Sequence, residues 1–262
     1  MSNTITNHNI IFKEVNTVKK IVFLTLIFVL VFSFATYAAN EDYQAGIKAY
    51  NKGNYKTAIQ EFKKAYPEME DHYYIRYMMG LTYYRLRDYK TAAHYYEEAV
   101  ELNPDHYRSL VNLGRVYSRM GKYEECIDTL KKAEKIDEDD DLYNVWGLAY
   151  MGQNKYQKSV EKFKRAGELN SKNYYAFNNL GLAYLKLGKY TKASQALEKA
   201  CDLNPPHAWI YNNLGIAYEN SGKLDKAIET FNKSLDLNPN YQKAIGNLER
   251  VLDKRYEEND DE

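Results

Sequence analysis

The sequence has few cysteines, few prolines and no excess of charge of either sign. Its two cysteines cannot form a disulfide framework or a four-thiolate zinc site. Its 36 basic and 36 acidic residues cancel, so the chain lacks the basic surface that non-specific binding to nucleic acid requires. It contains no phosphate-binding glycine loop, dinucleotide fingerprint or zinc-protease helix motif. We therefore expect no catalysis, no cofactor, no metal and no nucleic acid partner.

An acidic run, Asp137 to Asp141, does not fit a calcium-binding loop. An EF-hand loop that began at Asp137 would need glycine at its sixth place and glutamate at its twelfth. Leu142 and Leu148 stand at those two places. We interpret the run as a solvated turn that also caps the helix beginning near Leu142.

A long hydrophobic run, Ile21 to Ala39, lies near the amino terminus and follows Lys19 and Lys20. A basic flank, an apolar run and small residues at its end predict a secretory signal, and Ala38 provides an acceptable cleavage site. The run is also nearly long enough to span a bilayer. Residues 1–39 are therefore a cleaved signal peptide or an N-terminal membrane anchor, with a buried core helix as a third reading. Both leading readings place the rest of the chain outside the cytoplasm, in the periplasm or secreted.

A repeat of about 34 residues occupies most of the chain. Six glycines recur at steps of 33 or 34 residues, namely Gly46, Gly80, Gly114, Gly147, Gly181 and Gly215. Apolar residues recur at three- and four-residue steps on both sides of a short break such as Gly121 to Tyr123, which predicts two amphipathic helices in each unit. Asn-Pro pairs at 103–104, 204–205 and 238–239 end the second helix.

This frame resembles the tetratricopeptide repeat family. One unit shows the family pattern with Phe177, Leu180, Gly181, Tyr184, Ala193, Leu197 and Pro205. The resemblance implies an all-α, right-handed superhelical solenoid of helix-turn-helix units. We predict six repeats within residues 40–241, at 39–72, 73–106, 107–140, 140–172, 174–207 and 208–241. A capping helix, expected at 241–258, and an acidic tail complete residues 242–262.

A few positions depart from the repeat pattern. Arg87 and Asn154 replace the glycine of the turn between the two helices, and Cys126 and Ser159 replace a small alanine of the second helix. Pro67 lies early in the first repeat, so its second helix is expected to be short. We expect both cysteines to be buried free thiols.

The resemblance also implies a ligand groove lined by the first helix of each unit. The first two units contribute an aromatic wall of Tyr43, Tyr50, Tyr74, Tyr77 and Tyr84. The third unit contributes Arg108, Arg115 and Arg119 on one helix face, which we hypothesise pair with carboxylates of a partner. Further asparagines and aromatic residues complete the predicted site, namely Asn112, Asn144, Asn178, Asn179, Asn212, Asn213, Tyr175 and Trp209. Asparagine amides both donate and accept, so they can hold the main chain of an extended ligand; alternatively, they only solvate the face.

These observations predict an exported, non-enzymatic adaptor that holds a protein segment with aromatic and acidic side chains in its groove. One alternative is a self-assembling structural or membrane-anchored envelope protein, in which the chain forms a homo-oligomer. Another is a binding lobe that serves an enzyme on a separate chain. Repeats of this family host many functions, so the fold alone does not decide among them.

Overall fold

The computed structural model describes residues 20, 22–27 and 37–260, and these residues are largely helical, without a β-strand among them. Most of the predicted leader, at 1–19, 21 and 28–36, lies outside the described residues. Within the part that is described, no helix is both long and apolar enough to cross a membrane. Residues 37–51 form the first helix of the first repeat, and Ala39 is buried within it.

The chain divides into two compact units after Asn103. The first unit contains α1 (37–51), α2 (Tyr55–Ala65), a 3-10 turn (Tyr66–Met69), α3 (Tyr73–Arg85) and α4 (Tyr89–Leu102). The second unit contains α5 (Tyr107–Arg119), α6 (Tyr123–Glu134), α7 (Asp140–Gly152), α8 (Tyr156–Leu169), α9 (Tyr174–Lys186), α10 (Tyr190–Asp202), α11 (Ala208–Asn220), α12 (Leu224–Leu237) and α13 (Gln242–Asp260).

In the second unit, consecutive hairpins stack on one another. Each first helix packs against the second helix of its own hairpin and against the first helix of the next, from α5 through α7, α9 and α11 to α13. The apolar stripes meet in a continuous core that includes Phe163, Leu180, Leu197, Leu214 and Phe231. A single hairpin could not bury such a stripe, so each repeat depends on its neighbours. The predicted all-α helix-turn-helix repeat fold is confirmed.

The recurring glycine of each first helix permits close packing of the second helix. A Cβ placed on Gly181 would lie 2.4 Å from Cγ of Leu197, and one on Gly215 would lie 2.4 Å from Cε1 of Phe231. Both distances are far below a van der Waals contact, so only glycine fits at these two positions.

The turn between the two helices of a hairpin requires a left-handed residue. Four turns place glycine there, at Gly53, Gly121, Gly188 and Gly222, with φ between 67° and 77°. The two substituted turns adopt the same conformation, with φ of 63° at Arg87 and 58° at Asn154. The turn geometry is therefore kept where the glycine is lost, at a local conformational cost to Arg87.

The second helix of the first repeat is short, as its proline predicted. The helix α2 ends at Ala65, and Pro67 lies in the 3-10 turn that follows.

The last helix, α13, closes the stack with Ala244 and Val251 fully buried and Leu248 packed against the core. It extends to Asp260, two residues beyond the end that the sequence predicted, and residues 261 and 262 lie outside the described residues. Glu249, 34 residues after Gly215, stands exposed where the other first helices carry their glycine. The frame of α13 is thus that of a first helix without its second.

Arg250 and Lys254 of α13 were expected to face only water, which is wrong. Nη2 of Arg250 lies 2.6 Å from Oε2 of Glu219, and Nζ of Lys254 lies 2.7 Å from Oε1 of Glu219. Because Glu219 is almost completely buried in α11, its carboxylate needs partners, and the facing helix supplies two cations. The same contacts lower the pKa of Glu219, chiefly through the hydrogen bond from Arg250.

Candidate protein-binding face

The first helices of the second unit share a face, here called the first-helix face, along which asparagine side chains join neighbouring repeats. Three hydrogen bonds follow one rule, in which Nδ2 of one asparagine donates to Oδ1 of the asparagine 35 residues earlier. They are Asn179 to Asn144 at 2.9 Å, Asn213 to Asn178 at 2.9 Å and Asn247 to Asn212 at 2.8 Å. A further bond from Asn178 to Asn179, 3.3 Å long, joins the first two into one row.

Burial divides the predicted asparagines into two groups. Asn178 is 1% exposed and Asn212 is 3% exposed, so their predicted role in contacting a ligand is wrong, because the adjacent repeat already occupies their amides. Asn144, Asn179 and Asn213 are half-buried and keep part of their surface accessible.

Asn247 belongs to the row, although the sequence analysis missed it. Its signal was its position 34 residues after Asn213.

An exposed aromatic cluster lies at the starts of α9 and α11. The Tyr175 ring is 43% exposed, its hydroxyl lies 3.1 Å from Nε2 of His207, and its centroid lies 6.1 Å from that of Trp209. The His207 ring stacks on Trp209 at 5.6 Å with an interplanar angle of 18°. The cluster confirms that Tyr175 and Trp209 lie together, and it adds His207, which the sequence analysis had treated as isolated.

The cluster and the asparagine row occupy the same side of the stack. Asn178 and Asn179 follow Tyr175 by three and four residues, and Asn212 and Asn213 follow Trp209 by the same steps, which places each set on one helix face. The first-helix face thus presents aromatic rings and, one turn further along, amides.

The three arginines of α5 are not equivalent. Nη1 of Arg115 donates a 2.6 Å hydrogen bond to Oδ1 of Asn112, and its Nη2 pairs with the Asp141 carboxylate of the next repeat. The expectation that Arg115 is free for a ligand is therefore wrong, since it already ties α5 to α7. Arg108 and Arg119 are exposed.

The aromatic wall predicted for the first unit is smaller than expected. Tyr43 and Tyr77 are buried and pack their rings against Phe62 at 5.8 Å and Tyr96 at 6.0 Å. They are core residues, because their rings fill the space between the two helices of their hairpins.

The remaining tyrosines of this wall keep some exposed surface. Tyr74 is exposed, and Tyr50 and Tyr84 are half-buried. The hydroxyl of Tyr50 accepts a 3.2 Å hydrogen bond from Nε of Arg85.

The remaining candidate groups have structural roles. Asp139 caps α7, because its side chain accepts a 2.7 Å hydrogen bond from the Leu142 amide, as predicted. Cys126 is buried as predicted, whereas Cys201 is half-buried, and both are free. Burial raises the pKa of each thiol to about 12, so neither is a ready nucleophile at neutral pH. The groups on the first-helix face are those of recognition, namely amides, aromatic rings and guanidinium groups.

Stacked helical hairpins with these groups along one side define a helical-repeat protein of the interaction-scaffold class. Three family models match the chain. The model for anaphase-promoting complex, cyclosome, subunit 3 matches residues 51–133, a TPR repeat model matches 147–188 and 184–222, and the tetratricopeptide repeat model matches 208–241. The chain is a member of the tetratricopeptide repeat family.

Solved structures show the same fold. PilW, described as a widely conserved type IV pilus biogenesis factor, is 16% identical with a TM-score of 0.73, covering 82% of this chain and 98% of its own. MamA is 28% identical with a TM-score of 0.56, covering 63% of this chain and 97% of its own. YrrB, described as a TPR protein with an unusual peptide-binding site, is 23% identical with a TM-score of 0.56, covering 71% and 96%. No curated protein matches the sequence.

Proposed function

We propose that this protein is an exported, non-catalytic adaptor that binds an extended segment of a partner protein on the first-helix face of its second unit. The cluster of Tyr175, His207 and Trp209 carries the proposal. Tyrosine and tryptophan are enriched among the residues that dominate binding energy at protein interfaces. An exposed cluster of such rings beside polar groups is typical of an interaction surface.

The half-buried asparagines suit the main chain of such a segment. Each amide offers two N–H groups and two lone pairs, and the row uses only one of each on Asn179. Asn213 donates one hydrogen bond within the row and offers its carbonyl oxygen to the ligand. Peptide N–H and C=O groups therefore find both acceptors and donors one helical turn away from the rings.

Arg108 and Arg119 supply positive charge to the same face and would pair with acidic side chains of the partner. A rim pair contributes only ~0–1 kcal/mol, whereas truncating one partner of a desolvated pair costs ~2–5 kcal/mol. We assign these arginines a supporting role in orientation and rate of encounter, with the aromatic cluster as the anchor.

Export is the second part of the proposal and rests on the hydrophobic run at 21–39 with its preceding lysines. The repeats would then lie outside the cytoplasm. Sequencing the amino terminus of the mature protein distinguishes cleavage near Ala38 from a retained anchor. Recovery of the intact chain in the cytosolic fraction would contradict export.

The binding proposal is tested by capture of partners from an envelope extract, followed by mass spectrometry and affinity measurement. The Tyr175→Ala and Trp209→Ala double variant should weaken the captured interaction by at least about 30-fold, since losing a central aromatic anchor costs ~2 kcal/mol or more. Tyr190→Ala is the matched control, because Tyr190 is similarly exposed but begins a second helix.

Both variants should keep the wild-type helical signal in circular dichroism. Wild-type affinity in the Tyr175 and Trp209 variant would sink the proposed site, whereas a loss in the Tyr190 variant alone would move the site to the second helices.

A further inference from the structure

We infer that the second unit also binds a second copy of this chain, with Tyr256 and the acidic residues after it docking on Arg108 and Arg119 of α5. This contact goes beyond the adaptor function and does not depend on it. It would join copies head to tail, since the two contacting surfaces are different parts of the chain.

The receiving surface is the exposed side of α5. Arg108 and Arg119 are eleven residues apart, which is three helical turns, so they lie on the same side of α5 about 16 Å from each other. Arg115 between them is held by Asp141, which leaves the first and last turns of α5 to present the unneutralised positive charge. No ion pair involving Arg108 or Arg119 occurs among the residues that the structure describes.

The complementary surface is the end of α13. Tyr256 is 69% exposed, and five of the six residues that follow it, 257–262, are acidic. A guanidinium group stacks on an aromatic ring and pairs with a carboxylate through its planar fork. A tyrosine followed by carboxylates therefore matches two exposed arginines in both shape of contact and charge.

These acidic residues cannot reach the arginines of their own copy. The first helices α7, α9 and α11 lie between α5 and α13, and packed helices are 8–10 Å apart, so α5 and α13 are separated by roughly 32–40 Å. Even if α13 unwound from Tyr256 onward, its seven residues would span at most about 25 Å. The contact must therefore form between copies.

The end of α13 is presented by a well-anchored helix. Val251 is fully buried, Asn247 bonds to Asn212 at 2.8 Å, and Arg250 and Lys254 hold Glu219. Docking such a helix end orders little of the chain, which lowers the entropic cost of association.

The test uses two variants of the full chain in non-ionic detergent. The first, Arg108→Ala with Arg119→Ala, keeps the acidic end but loses the receiving surface. The second ends at Arg255 and loses the acidic end but keeps the receiving surface. One variant carries an amino-terminal affinity tag and captures the other, and each variant paired with itself measures any association through the hydrophobic run.

At low salt the mixed pair should be captured at least about fivefold more than either variant with itself, and high salt should abolish the difference because it screens exposed charges. Lys132→Ala with Lys135→Ala is the matched control, because it removes two exposed cations from α6 and its end. This control should self-associate like the wild type. Equal capture of mixed and self pairs at low salt would overturn the inference, and so would wild-type self-association of either variant alone.

Discussion

Asn213 of α11 donates a 2.9 Å hydrogen bond to Asn178 of α9, exactly one repeat and one residue earlier in the chain. Asn178 passes the pattern on by donating to Asn179, which donates to Asn144 of α7. Side chains that seemed available to a ligand therefore connect three consecutive repeats. The row fixes the relative position of the first helices that carry the aromatic cluster.

Replacing Asn178 by alanine should destabilise the protein by about 2 kcal/mol, because Asn213 and Asn179 lose a partner at a buried site. The free energy of unfolding from urea titration measures the effect. Asn220→Ala is the control, since Asn220 is exposed and bonds only to the Ile216 carbonyl of its own helix. An equal loss in both variants would show that the row adds nothing to stability.

Gly181→Ala should cost about 1–3 kcal/mol, because the new Cβ would overlap Leu197 and force the hairpin apart. Gly246→Ala tests the opposite case, since nothing lies within 4 Å of a Cβ at that helical position. This second change should stabilise the protein by about 0.5–1 kcal/mol. Urea unfolding of both variants checks the prediction, and a destabilised Gly246 variant would contradict it.

Arg87→Gly should raise the free energy of unfolding by about 0.5–1 kcal/mol, because Arg87 has a φ of 63° that glycine adopts at little cost. Arg87→Ala removes the same side chain and keeps the unfavourable conformation, so it should leave stability nearly unchanged. If the alanine variant gained as much as the glycine variant, the charge of Arg87 and not its backbone would be responsible.

Glu219→Gln should lower the free energy of unfolding by about 1–2 kcal/mol at neutral pH, because its carboxylate receives charged hydrogen bonds from Arg250 and Lys254. These contacts hold the folded pKa of Glu219 below its usual range. Their stabilisation is therefore fully present above the unfolded pKa of about 4.3 and is lost as the pH falls through the folded value.

The difference between wild type and the Glu219 variant should accordingly shrink in acid, which urea titrations at several pH values measure. Asp225→Asn is the control, since Asp225 pairs with Arg255 at the exposed surface and such pairs contribute ~0–1 kcal/mol. A difference that stays constant down to the acid limit would refute the role of the Glu219 charge.

The sequence was sufficient for the hairpins, since their glycines and apolar steps repeat with a fixed period. It was insufficient for the side chains that cross between repeats. Asn178 and Arg115 lie on the predicted face, but their partners, Asn213 and Asp141, come from the neighbouring hairpin. Position within a repeat indicates which way a residue points, whereas its availability depends on the length and chemistry of the side chain one repeat away.

The aromatic residues illustrate the same limit in the first unit. Tyr43 and Tyr74 occupied comparable positions in the predicted groove, yet Tyr43 packs against Phe62 and Tyr74 is exposed. A tyrosine serves equally well in a core and at a surface, so residue type alone could not separate the two.

Glu249 of α13 determines how this array could be lengthened. A further second helix would have to press against the position where the other first helices have a bare backbone, and a carboxylate there would be stripped of water without a partner. Any duplication or engineered fusion that adds a hairpin after α13 must therefore begin by converting Glu249 to glycine, before the interface of the added helix is considered at all.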